Sequence, residues 1–568
     1  MKAKLRSKIE EGFFRDMWKE TVWMYGYVRR FKFAVLVHIV LGAAATIMSL
    51  LSSIAMKKLI DVVTGFAMGE FVSAACFMVL LMLGSAVLQA AASRIAAKIN
   101  IRVQNGIQAE VYDRMLRTDW QSLERFRSGD LINRLNGDVS AIAGGVTGLI
   151  PGLVTGGGQF LGSLVIILFY DPVMALIALI GAPIYVLSSR MLVKRMREYN
   201  KRMKEISSQV MSFHEDSFRN LTTIKSFGIM DGFRDRMHGM QGTYRDAMLE
   251  YNKFSVVTSL VMSVIGLIIS TACFGWGVYR LWTNRITFGT MTMFIQLTNM
   301  LRGGFSGLVS LVPAFISVTT SAGRIMAVIE LPEEKGARDT ANIPERCEVH
   351  LENVSFTYAD GEEPVLENVD FEARYGEAVA LCGASGEGKT TLIRLILGLV
   401  CPDSGRAYLR GDGRETEISA ATRAAFSYVP QGNTILAGTI ADNLRLLRPE
   451  ATEEEMWEAL RLACADAFVA KLPKGLDSDV GEMGHGFSEG QAQRLAVARA
   501  LMQRSPILIL DEATAALDEA TERTMLTNIA ESGAARTCIV ISHRSATTAL
   551  CDRKYMLDGT RLKEVGTP

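Results

Sequence analysis

Eight consecutive residues, Gly383-Ala384-Ser385-Gly386-Glu387-Gly388-Lys389-Thr390, carry the spacing Gly-x-x-x-x-Gly-Lys-Thr. Glycines so placed let successive backbone N–H groups converge on phosphate oxygens, and the lysine adds a point charge. The apolar run from Ala378 to Cys382 reads as a buried strand, and Thr391 to Leu397 reads as a helix start. The loop therefore sits at a helix N-terminus, whose dipole favours an anion. A second stretch, Ile507-Leu508-Ile509-Leu510-Asp511-Glu512, is an apolar strand ending in two carboxylates. In a doubly wound sheet such a strand brings Asp511 beside the phosphate loop to hold Mg²⁺ through water, and leaves Glu512 to polarise an attacking water. A strand that merely ends in acids is the competing reading. A third apolar strand, Thr537 to Ser542, ends at His543, and its place on the same sheet edge favours a role at a γ-phosphate. Tyr358, upstream of the loop, can stack on a base; alone it is an ordinary tyrosine.

Between the phosphate loop and the second stretch lies Gly484-His485-Gly486-Phe487-Ser488-Glu489-Gly490-Gln491, followed by the helical run Ala492 to Leu501. This is a second loop leading into a helix N-terminus, hence a second natural anion site. A chain with one phosphate loop has no second nucleotide for it in cis, so it serves best to complete the site of a neighbouring copy.

These elements need a scaffold, and 568 residues exceed a single core. The balanced charge, +1, gives no sign of nucleic-acid binding. The apolar share of 49% and mean hydropathy of +0.20 are high, and the excess lies in the first half. Six apolar runs, near 33–56, 71–92, 140–169, 172–189, 255–282 and 288–316, reach about twenty residues each, enough to cross a hydrocarbon core. Lys and Arg concentrate before the first run and in the loops after the second and fourth, which places both termini in the cytoplasm. The two long inner excursions keep a helix-compatible pattern and suit contact with a soluble domain. The segment from Arg15 to Lys32, with Trp18, Trp23 and Tyr25, reads as an interfacial helix. The scattered cysteines read as reduced cytosolic thiols, and the charged N-terminus as no cleaved signal.

Polar residues within the runs are sparse (Gln89, Gln159, Ser163, Gln296, Thr298 and Asn299) and read as helix-to-helix hydrogen bonding, with substrate contact the competing reading. Arg302 differs: it falls about 20 Å along the sixth run by helical rise. An ionisable group at that depth faces a wet cavity or a partner. One reading is a translocation cavity in which Arg302, next to a helix-loosening Gly303-Gly304, favours an anionic group on the cargo; the other is snorkelling or pairing within the bundle. Met291, Met293 and Met300 suit bulky amphipathic cargo such as a peptide, lipid or hydrophobic drug, and equally suit core filling.

In this order the motifs resemble those of an ABC transporter, specifically an exporter half-transporter with six spans fused to one nucleotide-binding domain. Tyr358 matches the family's adenine-stacking aromatic. Gly383 to Thr390, including Ser385, Gly386, Gly388 and Lys389 and continued by Thr391, matches the Walker A loop. Gln431 in Val429-Pro430-Gln431 matches the Q-loop, Phe487 to Gln491 the signature, Asp511 and Glu512 the Walker B pair, Ala516-Leu517-Asp518 the D-loop, and His543 the switch. Glu124 to Leu131 resembles the first coupling segment, and Phe213 to Phe227 the second.

The resemblance implies a membrane all-α six-helix domain over 1–330, a linker over 331–345 and an α/β P-loop ATPase domain over 346–568. It implies two chains sandwiching ATP and Mg²⁺, with Thr390, Gln431 and Asp511 on the metal, Glu512 and His543 catalytic, and Asp518 at the dimer interface. Ser488, Glu489, Gly490 and Gln491 then reach the nucleotide in trans. The partners implied are a second copy or a homologous half-transporter, the lipid bilayer and an amphipathic cargo, in the bacterial cytoplasmic membrane. The sequence departs from the family at Glu387 for serine, Phe487 for leucine and Glu489 for glycine. Glu387 is expected to contribute backbone mainly, whereas Glu489 puts an extra anion near a γ-phosphate. A degenerate half of a heterodimer, or an ATP-gated regulatory membrane protein, are the alternatives to an export homodimer.

Overall fold

Long stretches of Leu, Ile, Val, Ala and Gly with few charges form helices, because only a helix satisfies every backbone group within one segment in an apolar surround. The computed structural model describes residues 18–565 apart from 28, 66–67, 127, 180–198, 200–201, 203–205, 208, 340, 360, 362, 433, 482–485, 533–535, 543 and 545–547. It divides into two compact units, Met1–Met115 with Phe126–Glu330, and Leu116–Arg125 with Leu331–Pro568.

The first unit is helical: Lys32–Thr64 (α1) and Met68–Arg117 (α2), then, beyond the Trp120–Glu124 helix (α3) of the second unit, Ser128–Asn133 (α4), Val139–Tyr170 (α5), Met230–Trp282 (α6) and Phe288–Ile329 (α7). Among the described residues five helices are long and apolar enough to cross a membrane. The fourth expected run, 172–189, is helical over 172–179, and the rest of it lies outside the described residues. The expected interfacial helix is described from residue 18 onward.

Gly303 and Gly304 do not loosen α7, which is helical throughout. A Cβ on Gly304 would meet the Gly156 carbonyl and the Phe160 N, each at 2.8 Å. Glycine is there because two backbones cross closely, the small-residue packing of membrane helices. A Cβ on Gly145 or Gly152 of α5 would instead meet the side chains of Val318 and Leu311 of α7. Just before α5, five residues of π-helix, Arg134–Asp138, bring Asp138 to Arg324 at 3.2 Å, and Arg324 also meets Asp130 at 2.7 Å.

The second unit is built on two sheets. Glu348–Phe356 (β1), Leu366–Ala373 (β2), Ser404–Gly411 (β4) and Arg414–Glu417 (β5) form an antiparallel sheet in the order β2-β1-β4-β5. Ala378–Gly383 (β3), Phe426–Val429 (β6), Ile507–Asp511 (β7), Thr537–Ile541 (β8), Arg553–Asp558 (β9) and Arg561–Val565 (β10) form the other, in the order β10-β9-β3-β8-β7-β6. All its pairings are parallel except β9 with β10. Every residue of β7 is buried, as expected for a central parallel strand covered on both faces. The helices that matter for the site are Lys389–Ile396 (α8), Glu489–Met502 (α9) and Glu519–Glu531 (α10). All eight cysteines are free thiols. Burial pushes Cys538 up to about 11 and Cys551 up to about 12, so neither is a thiolate at neutral pH.

Candidate active site

Four neighbouring parallel strands end side by side, and each carries a sequence-predicted residue just past its carboxyl end. After β3 comes the phosphate loop, after β6 Gln431, and at the end of β7 Asp511 and Glu512. His543 follows β8 in the sequence and lies outside the described residues. Ligands bind along this edge of an open parallel sheet.

The loop turns into α8 through Gly388, whose φ of +98° lies in the left-handed region. A side chain there would be strained, and its Cβ would strike Val365 at 2.8 Å. Ser385, Gly386 and Thr390 face outward at the loop and first helical turn, while Lys389 is buried. Lys389 Nζ donates to the carbonyls of Gly383 at 2.8 Å and Ala384 at 2.7 Å. The Glu387 side chain does more than the sequence reading allowed: its Oε2 accepts the Ala384 N–H at 2.6 Å, so the carboxylate ties the loop across itself.

On β7, burial raises the Asp511 carboxyl above its ordinary value. The neighbouring Glu512 adds to this, and the Tyr428 hydroxyl, Lys389 and Arg394 oppose it. Tyr428 donates to Asp511 Oδ2 at 3.2 Å and is itself pushed up by burial. A buried carboxylate with a phenol as its hydrogen-bond donor is stabilised by a cation. With Thr390 exposed at the helix start and Lys389 beside the loop, the residue set fits Mg²⁺ and a nucleoside triphosphate. Glu512 has φ +48°, rare for a non-glycine residue, and accepts from Gln431 Nε2 at 2.6 Å. Such strain persists where the surroundings over-determine it, typically at functional sites.

The signature stretch caps α9. Ser488 Oγ accepts the Gln491 N–H at 3.3 Å and Gln491 Oε1 accepts the Ser488 N–H at 2.9 Å, a reciprocal capping box. Glu489 is exposed in the first turn. A Cβ on Gly490 would meet the Ala516 carbonyl at 2.9 Å, so glycine is needed where the signature helix passes the D-loop backbone. Phe487 anchors the stretch against Phe468, their ring centroids 6.2 Å apart. Asp518 caps α10, accepting from Thr521 N at 2.9 Å. Arg544 ties this loop down, donating to the carbonyls of Leu517 and Ala515 and to the buried Glu522.

Sequence reasoning missed Tyr428, Arg394, Arg544 and the Glu387 side chain. Their local signals are ordinary: a strand tyrosine, two arginines and a polar residue inside a loop. Position beside a motif is the signal that could have found three of them: Glu387 lies inside the phosphate loop, Tyr428 precedes Val429-Pro430-Gln431 and Arg544 follows His543.

Residues 35–305 match the model of the ABC transporter transmembrane region, and 366–515 match a second model described as ABC transporter. The chain belongs to the ABC transporter family. It has the architecture of an exporter half-transporter, a helical membrane domain joined to an α/β nucleotide-binding domain, and couples ATP hydrolysis to transport. It is an integral membrane protein. It is 28% identical over 493 residues to an ATP-dependent lipid A-core flippase of Photobacterium profundum, covering 84% of this chain and 81% of that one. It is also 28% identical over 409 residues to a Staphylococcus aureus protein bearing the name multidrug export ATP-binding/permease protein, covering 71% and 70%. Its fold matches that of a bacterial Atm1-family ABC exporter with ATP bound at a TM-score of 0.83, 24% identity and 95% coverage of both chains.

Proposed function

We propose that two copies of this chain export a bulky amphipathic cargo carrying an anionic group, by alternating access. The observation that carries the cargo reading is Arg302. It lines an apolar cavity with Phe160, Ile269, Asn299 and Phe305, and among the described residues it has no ion-pair partner. Arg302 is itself exposed, and a guanidinium at that depth along a membrane helix attracts an anion. The names of two relatives, a lipid A-core flippase and a multidrug export protein, support an export reading.

In the ATP site, Gly383 to Thr390 hold the phosphates through backbone N–H groups, with Lys389 released from its carbonyl partners to meet them. Tyr358 stacks on the adenine. Thr390, Gln431 and Asp511 hold Mg²⁺, partly through water. The bound ion supplies positive charge against the phosphate oxygens. Glu512 orients and polarises the attacking water, and His543 stands at the γ-phosphate. Ser488, Gly490 and Gln491 of the second copy close the site, and Asp518 lies at the interface between copies. Charge asymmetry of the loops puts both termini and the ATPase in the cytoplasm, the membrane being the bacterial cytoplasmic one.

The exposed Glu489 favours a second reading, an asymmetric pair in which this chain is one half. Purification of the chain alone decides between them. A dimer whose ATPase is abolished by Glu512→Gln supports the homodimer, and an inactive lone chain overturns it. For the cargo, Arg302→Ala is expected to lower ATPase stimulation by anionic amphiphiles more than by neutral ones; unchanged stimulation by both sinks the anion reading.

A further inference from the structure

Tyr358 is held by its hydroxyl. Thr391 Oγ1 lies 3.0 Å from that oxygen and Arg394 Nη1 donates to it at 2.8 Å. Arginine can only donate, so the phenol oxygen accepts from Arg394 and shares its remaining hydrogen bond with Thr391. Phe356 meets the Tyr358 ring edge-on, with centroids 4.9 Å apart. Rotation and tilt of the ring are both fixed.

Arg394 is itself gripped. Its guanidinium lies over the Trp120 ring, 4.2 Å from the centroid, a cation–π contact. Trp120 opens α3, where Asp119 Oδ2 caps the helix by accepting the Ser122 N–H at 3.0 Å. The stretch is stitched to the chain beyond α7 by Asp119 N to Pro332 O and Glu334 N to Arg117 O, both 2.9 Å. Trp120 packs on the same apolar core as Phe356 and Leu392. Beside it opens a cavity of about 240 Å³, lined by Gln121, Glu124, Arg125, Tyr358 and Ala359.

We propose that Arg394 is a positioning residue for base recognition: braced by Trp120, it fixes the Tyr358 hydroxyl and so the ring plane on which the base of a purine nucleoside triphosphate stacks. The proposal rests on the reading of Tyr358 as the stacking aromatic. A platform fixed before binding spares the nucleotide the cost of ordering it, which is gained as affinity for the base and not for the phosphates. The short helix α3, part of the first long excursion from the membrane domain, thereby becomes a wall of the base cleft.

The test uses the full chain in nanodiscs and compares the KM for ATP with the inhibition constant of Mg-tripolyphosphate, which has phosphates and no base. Arg394→Met is expected to raise the KM for ATP about fivefold, more than it lowers kcat, and to leave tripolyphosphate inhibition within about twofold. Trp120→Ala should follow it, while Arg394→Lys and Trp120→Phe, which keep a cation and an aromatic face, should recover most of the loss. Equal loss for ATP and tripolyphosphate overturns the proposal, since Arg394 then serves the phosphate site or the fold. A Tyr358→Ala variant separates the two failures. If it raises the ATP KM selectively and Arg394→Met does not, stacking stands and the positioning role falls. If Tyr358→Ala also leaves the ATP KM unchanged, the stacking reading fails and takes the proposal with it.

Discussion

Gln431 Nε2 donates to Glu512 Oε2 at 2.6 Å, joining the residue after β6 to the carboxylate after β7. Glu512 reaches this partner from a left-handed backbone, φ +48°. The glutamine amide thus hydrogen-bonds the carboxylate that we propose activates the attacking water. Glu512→Gln is expected to lower kcat about a hundredfold or more with ATP affinity little changed, read by phosphate release and equilibrium ATP binding. A variant that hydrolyses ATP at the normal rate removes Glu512 from the role.

Glu387 places a carboxylate within the phosphate loop and ties Ala384 N at 2.6 Å. Its charge opposes a triphosphate, whereas its hydrogen bond orders the loop. The two effects separate by substitution. Glu387→Gln keeps an acceptor and loses the charge, so the KM for ATP should fall about two- to fivefold. Glu387→Ala loses both, and its KM should lie above that of the glutamine variant. Steady-state ATPase at constant salt reads the difference, because surface charge effects are screened.

The phosphate loop, the two carboxylates and the apolar strands were legible because they depend on local spacing. A glycine at +98° and an unbroken Ile-Leu-Ile-Leu run announce themselves within a few residues. Five of the six membrane runs were legible for the same reason, since twenty apolar residues leave the backbone one choice. Arg394 and Trp120 stand 274 positions apart in sequence and 4.2 Å apart in space, a pairing that only tertiary structure makes. Gly304 was misread as a flexible point because a glycine pair looks alike whether it loosens a helix or lets another backbone approach.

Gly490→Ala and Glu489→Gly test two sides of one helical turn. The first puts a Cβ 2.9 Å from the Ala516 carbonyl and should push the signature helix off the D-loop, lowering Tm and ATPase together. The second alters an exposed residue of the first helical turn and should lower Tm only slightly, by the loss of a helix-favouring carboxylate and the freedom of glycine. Removing that anion from the helix N-terminus should raise ATPase if the charge hinders closure. An unchanged rate with Glu489→Gly frees Glu489 from any part in the site.

Acid should weaken the nucleotide-binding unit through its helix caps. Backbone N–H groups of Thr521, Thr439 and Thr452 hold the carboxyls of Asp518, Asp442 and Glu455 below their ordinary values. A depressed carboxyl contributes stability above the unfolded-chain value, near about pH 4, and loses it as pH falls through the folded value. Tm should therefore drop on acidification below about pH 4.5. Asp518→Ala should lower Tm at neutral pH and show a shallower decline in acid, measured by scanning the detergent-solubilised chain. An equal acid slope in both chains removes the cap from the account.

Asp171 lies between two membrane helices and is 2% exposed at its side chain. Its Oδ2 meets Arg280 Nε at 3.0 Å and the Trp276 indole N–H at 3.2 Å, while its Oδ1 caps the turn at Val173 and Met174. Breaking one partner of a buried pair leaves the other charge uncompensated, at a cost of about 3 kcal/mol. Removing both costs less, because no lone charge remains. Asp171→Asn keeps the turn cap through Oδ1 but puts an amide N–H donor where Oδ2 was, so it should destabilise the membrane unit through Arg280 and the Trp276 indole, which share that acceptor. Arg280→Met should do likewise through Asp171. The double variant Asp171→Asn with Arg280→Met should then be more stable than the sum of the singles predicts, by about 1 kcal/mol or more. Unfolding in a graded denaturing detergent reads the cycle, and strictly additive losses would show that the two side chains, though in contact, do not depend on each other.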